Sequence, residues 1–165
     1  MDHRTPTDIH KALLYRLQLL CEWLCYCRFN WRVLIRYQTL ESDYYICVRQ
    51  QIGDATPEVI IINLKNNNEV VRRPIKADSA LMHWTKQVIA LKANQRTLQI
   101  FDLGQKLKLQ STAMNEDVVY WKWISSDTLG LVTDTSIYHW SVFGNATSPT
   151  KVFERNANLS VSGTA

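Results

Sequence analysis

The sequence predicts an all-β fold: an incomplete β-propeller of about three four-stranded blades, preceded by an unrelated helix-prone N-terminal segment. Two observations carry that expectation. From Thr39 onward, short β-branched and aromatic runs are separated by Asn, Asp, Gly and Pro, the texture of strands joined by turns. The runs also recur, since VIIINL, LQIFDL and IYHWSV begin at Val59, Leu98 and Ile137, 39 residues apart. A period near 40 with four strands per unit is that of propeller blades, whereas helical and leucine-rich repeats need helices or shorter periods.

Before the repeats, the segment ALLYRLQLLCEWLCYC from Ala12 to Cys27 is apolar but interrupted by Arg16 and Glu22. It is shorter than the roughly 20 apolar residues of a spanning helix, so a buried or interfacial helix is expected rather than a transmembrane one. It lacks the small-residue cleavage site of a secretory signal. Cys21, Cys25 and Cys27 are spaced C-x3-C-x-C, with His3 and His10 remote. That is not a common zinc spacing, so free thiols in a reducing compartment are expected, with no metal and no cofactor.

The first blade is read from YYICVRQ (Tyr44 to Gln50), VIIINL (Val59 to Leu64) and VVRRPI (Val70 to Ile75). The second comprises ALMHWT (Ala80 to Thr85), QVIALKA (Gln87 to Ala93), LQIFDL (Leu98 to Leu103) and KLKLQS (Lys106 to Ser111). The third runs through DVVYWKW (Asp117 to Trp123), LGLVTDT (Leu129 to Thr135), IYHWSV (Ile137 to Val142) and TKVFER (Thr150 to Arg155). Trp84, Trp121, Trp123 and Trp140 recur near these strands and are expected to fill the space between adjacent sheets. Three units fall short of the four or more blades of closed propellers, so the chain reads as a fragment of a ring.

With 46% hydrophobic and 21% charged residues the composition is that of a globular domain. The net charge of +4 is scattered and argues against nucleic acid as a partner while favouring acidic ones. No glycine-rich phosphate loop or paired catalytic motif is present. The nearest approach to a triad is Asp134, Ser136 and His139, whose odd strand spacing puts Ser136 and His139 on opposite faces. Glu116, Asp117 and Asp127 read as acids of turns and strand ends, so the chain is expected not to be an enzyme. Sequons at Asn145-Ala146-Thr147 and Asn158-Leu159-Ser160 are read as chance matches in the absence of a signal peptide.

A binding surface is better supported. In TLQIFDLGQKLKL (Thr97 to Leu109), alternation places Leu98, Ile100, Leu107 and Leu109 on a buried side. Thr97, Gln99 and Phe101 then share the other side with Lys106 and Lys108. A groove for an extended peptide uses apolar pockets, an amide to fix the backbone, and cations for an acidic end. The competing reading packs Phe101 against a neighbouring blade and leaves the lysines as solubilising groups.

The stretches ESDYYICVRQ, VVRRPIKADSALM, VIALKANQRTLQIF, DVVYWKWISSDTLGLVTDTSIYHWSV and KVFERNANLS resemble the N-terminal propeller domain of the clathrin heavy chain family, from about Thr39 to Ser160. The resemblance implies a seven-bladed propeller of which about three blades are present, while the repeat period makes TLQIFDLGQKLKL the inner hairpin of the second. It also implies a groove between the first two blades that takes the clathrin-box motif of adaptor proteins, a short extended peptide of alternating apolar residues ending in an acid. Carried over by motif, Arg73, Ile75, Ile89, Thr97, Gln99, Phe101, Lys106 and Lys108 would form it. The apolar members would make pockets, Gln99 and Thr97 would hold polar groups, and Arg73, Lys106 and Lys108 would favour the acidic end. Two segments depart from the family's pattern: Ala93-Asn94-Gln95-Arg96 is one residue longer than its Ala-Gly-Lys turn, and Met82-His83-Trp84 replaces Met-Asn-Pro.

The implied role is a coat protein on the cytoplasmic face of coated pits and vesicles, without direct membrane insertion. On this resemblance, light-chain binding and trimerisation are expected of C-terminal regions absent from this sequence. A generic propeller scaffold is the alternative, disfavoured because His139-Trp140 lacks the Asp and the Gly-His of Trp-Asp repeats. Residues 1 to 38 and 161 to 165 do not resemble the family. Gln38 can be encoded by CAG and Val161-Ser162 by GTAAGT, so translated intron around an exon is one expectation, and a truncated isoform or non-functional product the other.

Overall fold

The computed structural model describes residues 38, 39, 42, 44–51, 56–145 and 147–156. The chain divides into two compact units, Met1–Ile35 and Arg36–Ala165, and the described residues all fall in the second. The expected helix over Ala12 to Cys27, its cysteines, the Asn158 sequon and the last residues lie outside them. Every described element is a strand, and the strands form three four-stranded sheets.

The first sheet is β1 (Gln38–Thr39), β2 (Tyr45–Gln50), β3 (Glu58–Asn63) and β4 (Glu69–Pro74), in chain order. The second is β5 (Ser79–Met82), β6 (Val88–Ala93), β7 (Thr97–Asp102) and β8 (Leu107–Ala113). The third is β9 (Tyr120–Trp123), β10 (Thr128–Val132), β11 (Ser136–Ser141) and β12 (Thr150–Glu154). Each is an antiparallel meander of chain neighbours, the make-up of a propeller blade. The expected repeats are therefore the blades. The two-residue β1, pairing Gln38 with Val48 and Thr39 with Cys47, was not legible as a strand because two residues carry no alternation.

Strand alternation sorts side chains between two inter-sheet cores. Tyr45, Cys47, Val59 and Ile61 of the first sheet meet Ala80, Met82 and Ile89 of the second, together with Ile75 and Ala77 from the connection between them. From the opposite face of the second sheet, Leu81, Val88, Ala90, Leu98 and Ile100 meet Trp121, Trp123, Leu129, Leu131 and Trp140 of the third. Trp123 and Trp140 are fully buried there and Trp84 packs against the cluster, as the sequence led one to expect. β2 and β3 are buried on both faces, which explains why they read as unbroken apolar runs.

Two details of the β7–β8 hairpin differ from expectation. β8 is the edge strand and mostly exposed, while β5 packs beside β2, so the hairpin is the outer pair of its blade and not the inner one. The register also shifts between Ile100 and Phe101: Ile100 pairs with Gln110, but Phe101 pairs with Lys108. This bulge absorbs one residue around Leu109 and changes the phase of β8. Leu107 then pairs with Asp102 on the Leu98 and Ile100 side, yet at the start of an exposed edge strand it is 53% exposed rather than in the core.

Turn chemistry fits the backbone. Asn67 and Asn68 in the β3–β4 turn have φ of 49° and 58°, and Asn is the non-glycine residue best suited to that left-handed region. Asn94 and Gln95 repeat the arrangement at φ 50° and 57°, closed by a 3.2 Å bond from Arg96 N–H to the Ala93 carbonyl.

Candidate functional site

The groove lies between the first and second sheets and grows out of the alternation of β6 and β7. In β6, Val88 and Ala90 face the third sheet, so Ile89 and Leu91 face the first. In β7, Leu98 and Ile100 face the third, so Gln99 and Phe101 face the first, opposite Leu91 and Ile89 in register. Across from them the first sheet contributes Val59 of β3 and, paired with it, Arg73 of β4.

The chain then crosses between blades through Pro74, Ile75 and Lys76. The Ile75 N–H bonds the Pro57 carbonyl at 2.8 Å, and the Arg49 Nε bonds the Ala77 carbonyl at 2.7 Å. These bonds pin the crossover so that Ile75 is buried while Lys76 stays exposed at the rim. The far rim is the β7–β8 turn, held by the Gln105 N–H on Asp102 Oδ1 at 2.9 Å and by the Leu103 N–H on the Gln87 carbonyl at 2.7 Å. Lys106 belongs to this turn, with φ 56°, and not to the following strand.

The enclosed space is about 350 Å³, within the range of specific binding clefts and large enough for a few side chains. Six of the eight residues anticipated from sequence line it: Arg73, Ile75, Ile89, Gln99, Phe101 and Lys106. Thr97 sits at the opposite end of β7, paired with Ala93 and Ala113, and Lys108 lies beside Phe101 in register but outside the lining. Lining residues missed by sequence reasoning include Val59, Leu91, Lys76, Asp102 and Leu103. Leu91 was recoverable as the second neighbour of Ile89 on the same strand face. Lys76 and Leu103 sit on connections, where no periodicity assigns a side.

Phe101 packs against the core between the first two sheets and remains half-buried in the groove wall. The lining carries three cations, Arg73, Lys76 and Lys106, and one carboxylate, Asp102, which is partly engaged by its turn. Among the described residues none of the three cations makes a salt bridge, while the adjacent Arg72 pairs with Glu58 at 2.8 Å. The groove thus combines an apolar floor, an amide and positive rims. Neither departing segment, Met82-His83-Trp84 nor Ala93-Asn94-Gln95-Arg96, lines it.

Elsewhere, Ser136 is buried and His139 exposed on the other face of β11, so these two do not converge. Among the described residues no group of three His, Cys, Asp or Glu side chains is placed to hold a metal, and no helix is long and apolar enough to cross a membrane.

Three successive meander blades with aromatic-filled interfaces and a groove between two of them define the class: an open array of β-propeller blades. A solved structure titled "KlHsv2 with loop 6CD replaced by a Gly-Ser linker" is similar over 73% of this chain and 38% of its own, with a TM-score of 0.55 and 14% identity, a likeness of fold. No protein-family model matches the chain. In sequence, 121 residues are 52% identical to the clathrin heavy chain of Drosophila melanogaster and 51% identical to the probable clathrin heavy chain of Schizosaccharomyces pombe. They are 45% identical to clathrin heavy chain 2 of Homo sapiens. Each match covers 73% of this chain, which spans about 7% of the length of those relatives. Over this segment the chain is a clathrin heavy chain homologue.

Proposed function

We propose that the groove between the first two blades binds short extended peptides of adaptor proteins, of the clathrin-box kind, and that the chain's role lies in vesicle coats on the cytoplasmic side of membranes. The observation that carries this reading is the convergence of Ile75, Ile89 and Phe101 with Gln99, Arg73 and Lys106 around one cleft of about 350 Å³. Alternating apolar side chains of an extended peptide enter the floor, the Gln99 amide meets a backbone group, and the cations attract a terminal acid. Thr97 and Lys108 lie beside the cleft and extend the surface along β7 and β8, Thr97 meeting polar groups and Lys108 adding charge. No step of chemistry is involved, in keeping with a structural coat protein.

The test is a titration of a labelled clathrin-box peptide against the chain, repeated with Gln99→Ala and Lys106→Glu. Binding weakens in both, on the order of tenfold for loss of a hydrogen bond or reversal of a charge, and weakens with added salt as the lysine contribution is screened. Equal affinity in both variants removes the groove from the reading.

A further inference from the structure

We propose that His83 is an acid-sensitive clasp at the junction of the second and third sheets, and that protonating its ring releases the Trp84–Lys86 loop that braces that junction. His83 follows β5 directly and is 1% exposed. Its Nε2 lies 2.8 Å from the Ser126 carbonyl, in the β9–β10 turn of the next blade. Its Nδ1 accepts two backbone bonds, from Thr85 N–H at 3.1 Å and Lys86 N–H at 3.0 Å. A carbonyl facing one nitrogen and two N–H groups facing the other admit a single form, the neutral imidazole with its proton on Nε2.

Protonation adds an N–H at Nδ1, where two donors already point. Both accepted bonds are lost and the turn from Trp84 to Lys86 loses its anchor, while the Nε2–H bond to Ser126 persists. The new charge has poor company. The ring sits edge-on to Trp123 at 4.8 Å and to Phe143 at 5.9 Å, and the Phe143 face is already taken by the Lys86 ammonium at 3.6 Å. The charged groups facing His83 are Lys86, on its own loop, and Asp127, from the β9–β10 turn, which pair with each other at 3.3 Å. Trp123 and Phe143 add no charge. Burial first, then Lys86, push the imidazole below its ordinary value of 6.5, and the Ser126 bond and Asp127 offset this only in part.

The same loop reaches the other neighbour, because the Ser42 hydroxyl donates to the Trp84 carbonyl at 2.7 Å and accepts from the Tyr44 and Tyr45 N–H groups. His83 to Lys86 is therefore a place where all three sheets are tied together by hydrogen bonds. The direction of the linkage follows from the lowered folded value. Above the unfolded value of 6.5 neither state binds this proton and the clasp is intact. As pH falls below 6.5 the unfolded chain takes up a proton that the folded chain refuses, and stability falls until the folded value is passed.

The experiment is equilibrium unfolding of the full chain, followed by tryptophan fluorescence between about pH 7.5 and 5. In that window the unfolding constant rises by up to about tenfold per pH unit from this one site. His83→Asn abolishes that component, because an Asn oxygen can accept from the same two N–H groups and does not titrate. Nitrogen NMR of the parent chain supplies a readout independent of the variant's folding. It should show the Nε2–H form at neutral pH, titration below 6.5, and faster exchange of the Thr85 and Lys86 amides on protonation. An unchanged pH slope in His83→Asn overturns the clasp. So does a His83 that titrates at or above 6.5 while both amides stay protected.

Discussion

Gln95 holds a left-handed backbone at φ 57° with a long, unsuited side chain. Its backbone is nonetheless fully used, since its N–H bonds Asp78 and its carbonyl accepts from the Val118 N–H at 2.8 Å. Gln95→Gly keeps those bonds and removes the steric cost of the conformation, so it should stabilise the chain by about 1 kcal/mol despite the extra freedom glycine gives the unfolded state. Thermal unfolding of the two proteins checks this, and a lower midpoint for the glycine variant would contradict it. A sequence shows Asn94-Gln95 only as a turn; that both residues are left-handed emerges from how β6 and β7 are closed. Legibility at this scale depended on whether a residue's surroundings are set by its own strand. Gln99 and Phe101 could be placed because alternation decides which face they take, whereas Ile89 came only with the family resemblance. Lys76 and Leu103 could not, because their positions depend on where a connection runs after the strands have packed.

Among the elements, β8 shows how an edge position limits burial. Ile100 is fully buried, and Ile100→Ala should cost roughly 2–5 kcal/mol through lost burial and a residual cavity. Leu107, which simple alternation would set in the same core, is 53% exposed beyond the bulge, and Leu107→Ala should cost less than about 0.5 kcal/mol. Denaturant titrations of both variants decide it; a cost for Leu107 approaching that of Ile100 would mean that the start of β8 is buried and not an exposed edge. The bulge is also what keeps Lys108 opposite Phe101 while freeing Lys106 to turn over the groove. Most strands were legible because their runs are short, bounded by turn residues and repeated. The two-residue β1 and the bulge were not, because each depends on pairing with a neighbour and not on a pattern within the run.

For the molecule as a whole, the third sheet matters most. Its core face is closed by the second sheet, but Tyr120, Ile124, Val152 and Phe153 are 43%, 48%, 46% and 54% exposed. β12 is an exposed edge strand with unpaired backbone groups. The chain expressed alone should therefore self-associate as concentration rises, and Val152→Lys with Phe153→Lys should shift it toward monomer in sedimentation velocity. A parent chain that is monomeric at high concentration would contradict this. The repeat period made three blades legible from the sequence, and the clathrin resemblance identified which two of them frame the groove.

The simple meander order has a temporal corollary. Among the described residues every strand hydrogen-bonds only to strands adjacent in the chain, so each sheet can assemble from what has just left the ribosome, without waiting for distant sequence. The groove's lining runs only from Val59 to Lys106. Once β7 and its turn have emerged, all its residues exist, and the third sheet arrives afterwards as a buttress behind Leu98 and Ile100. Changes confined to β9 through β12 should reach peptide affinity only through the population of folded chains, leaving the intrinsic contacts of the cleft as they were.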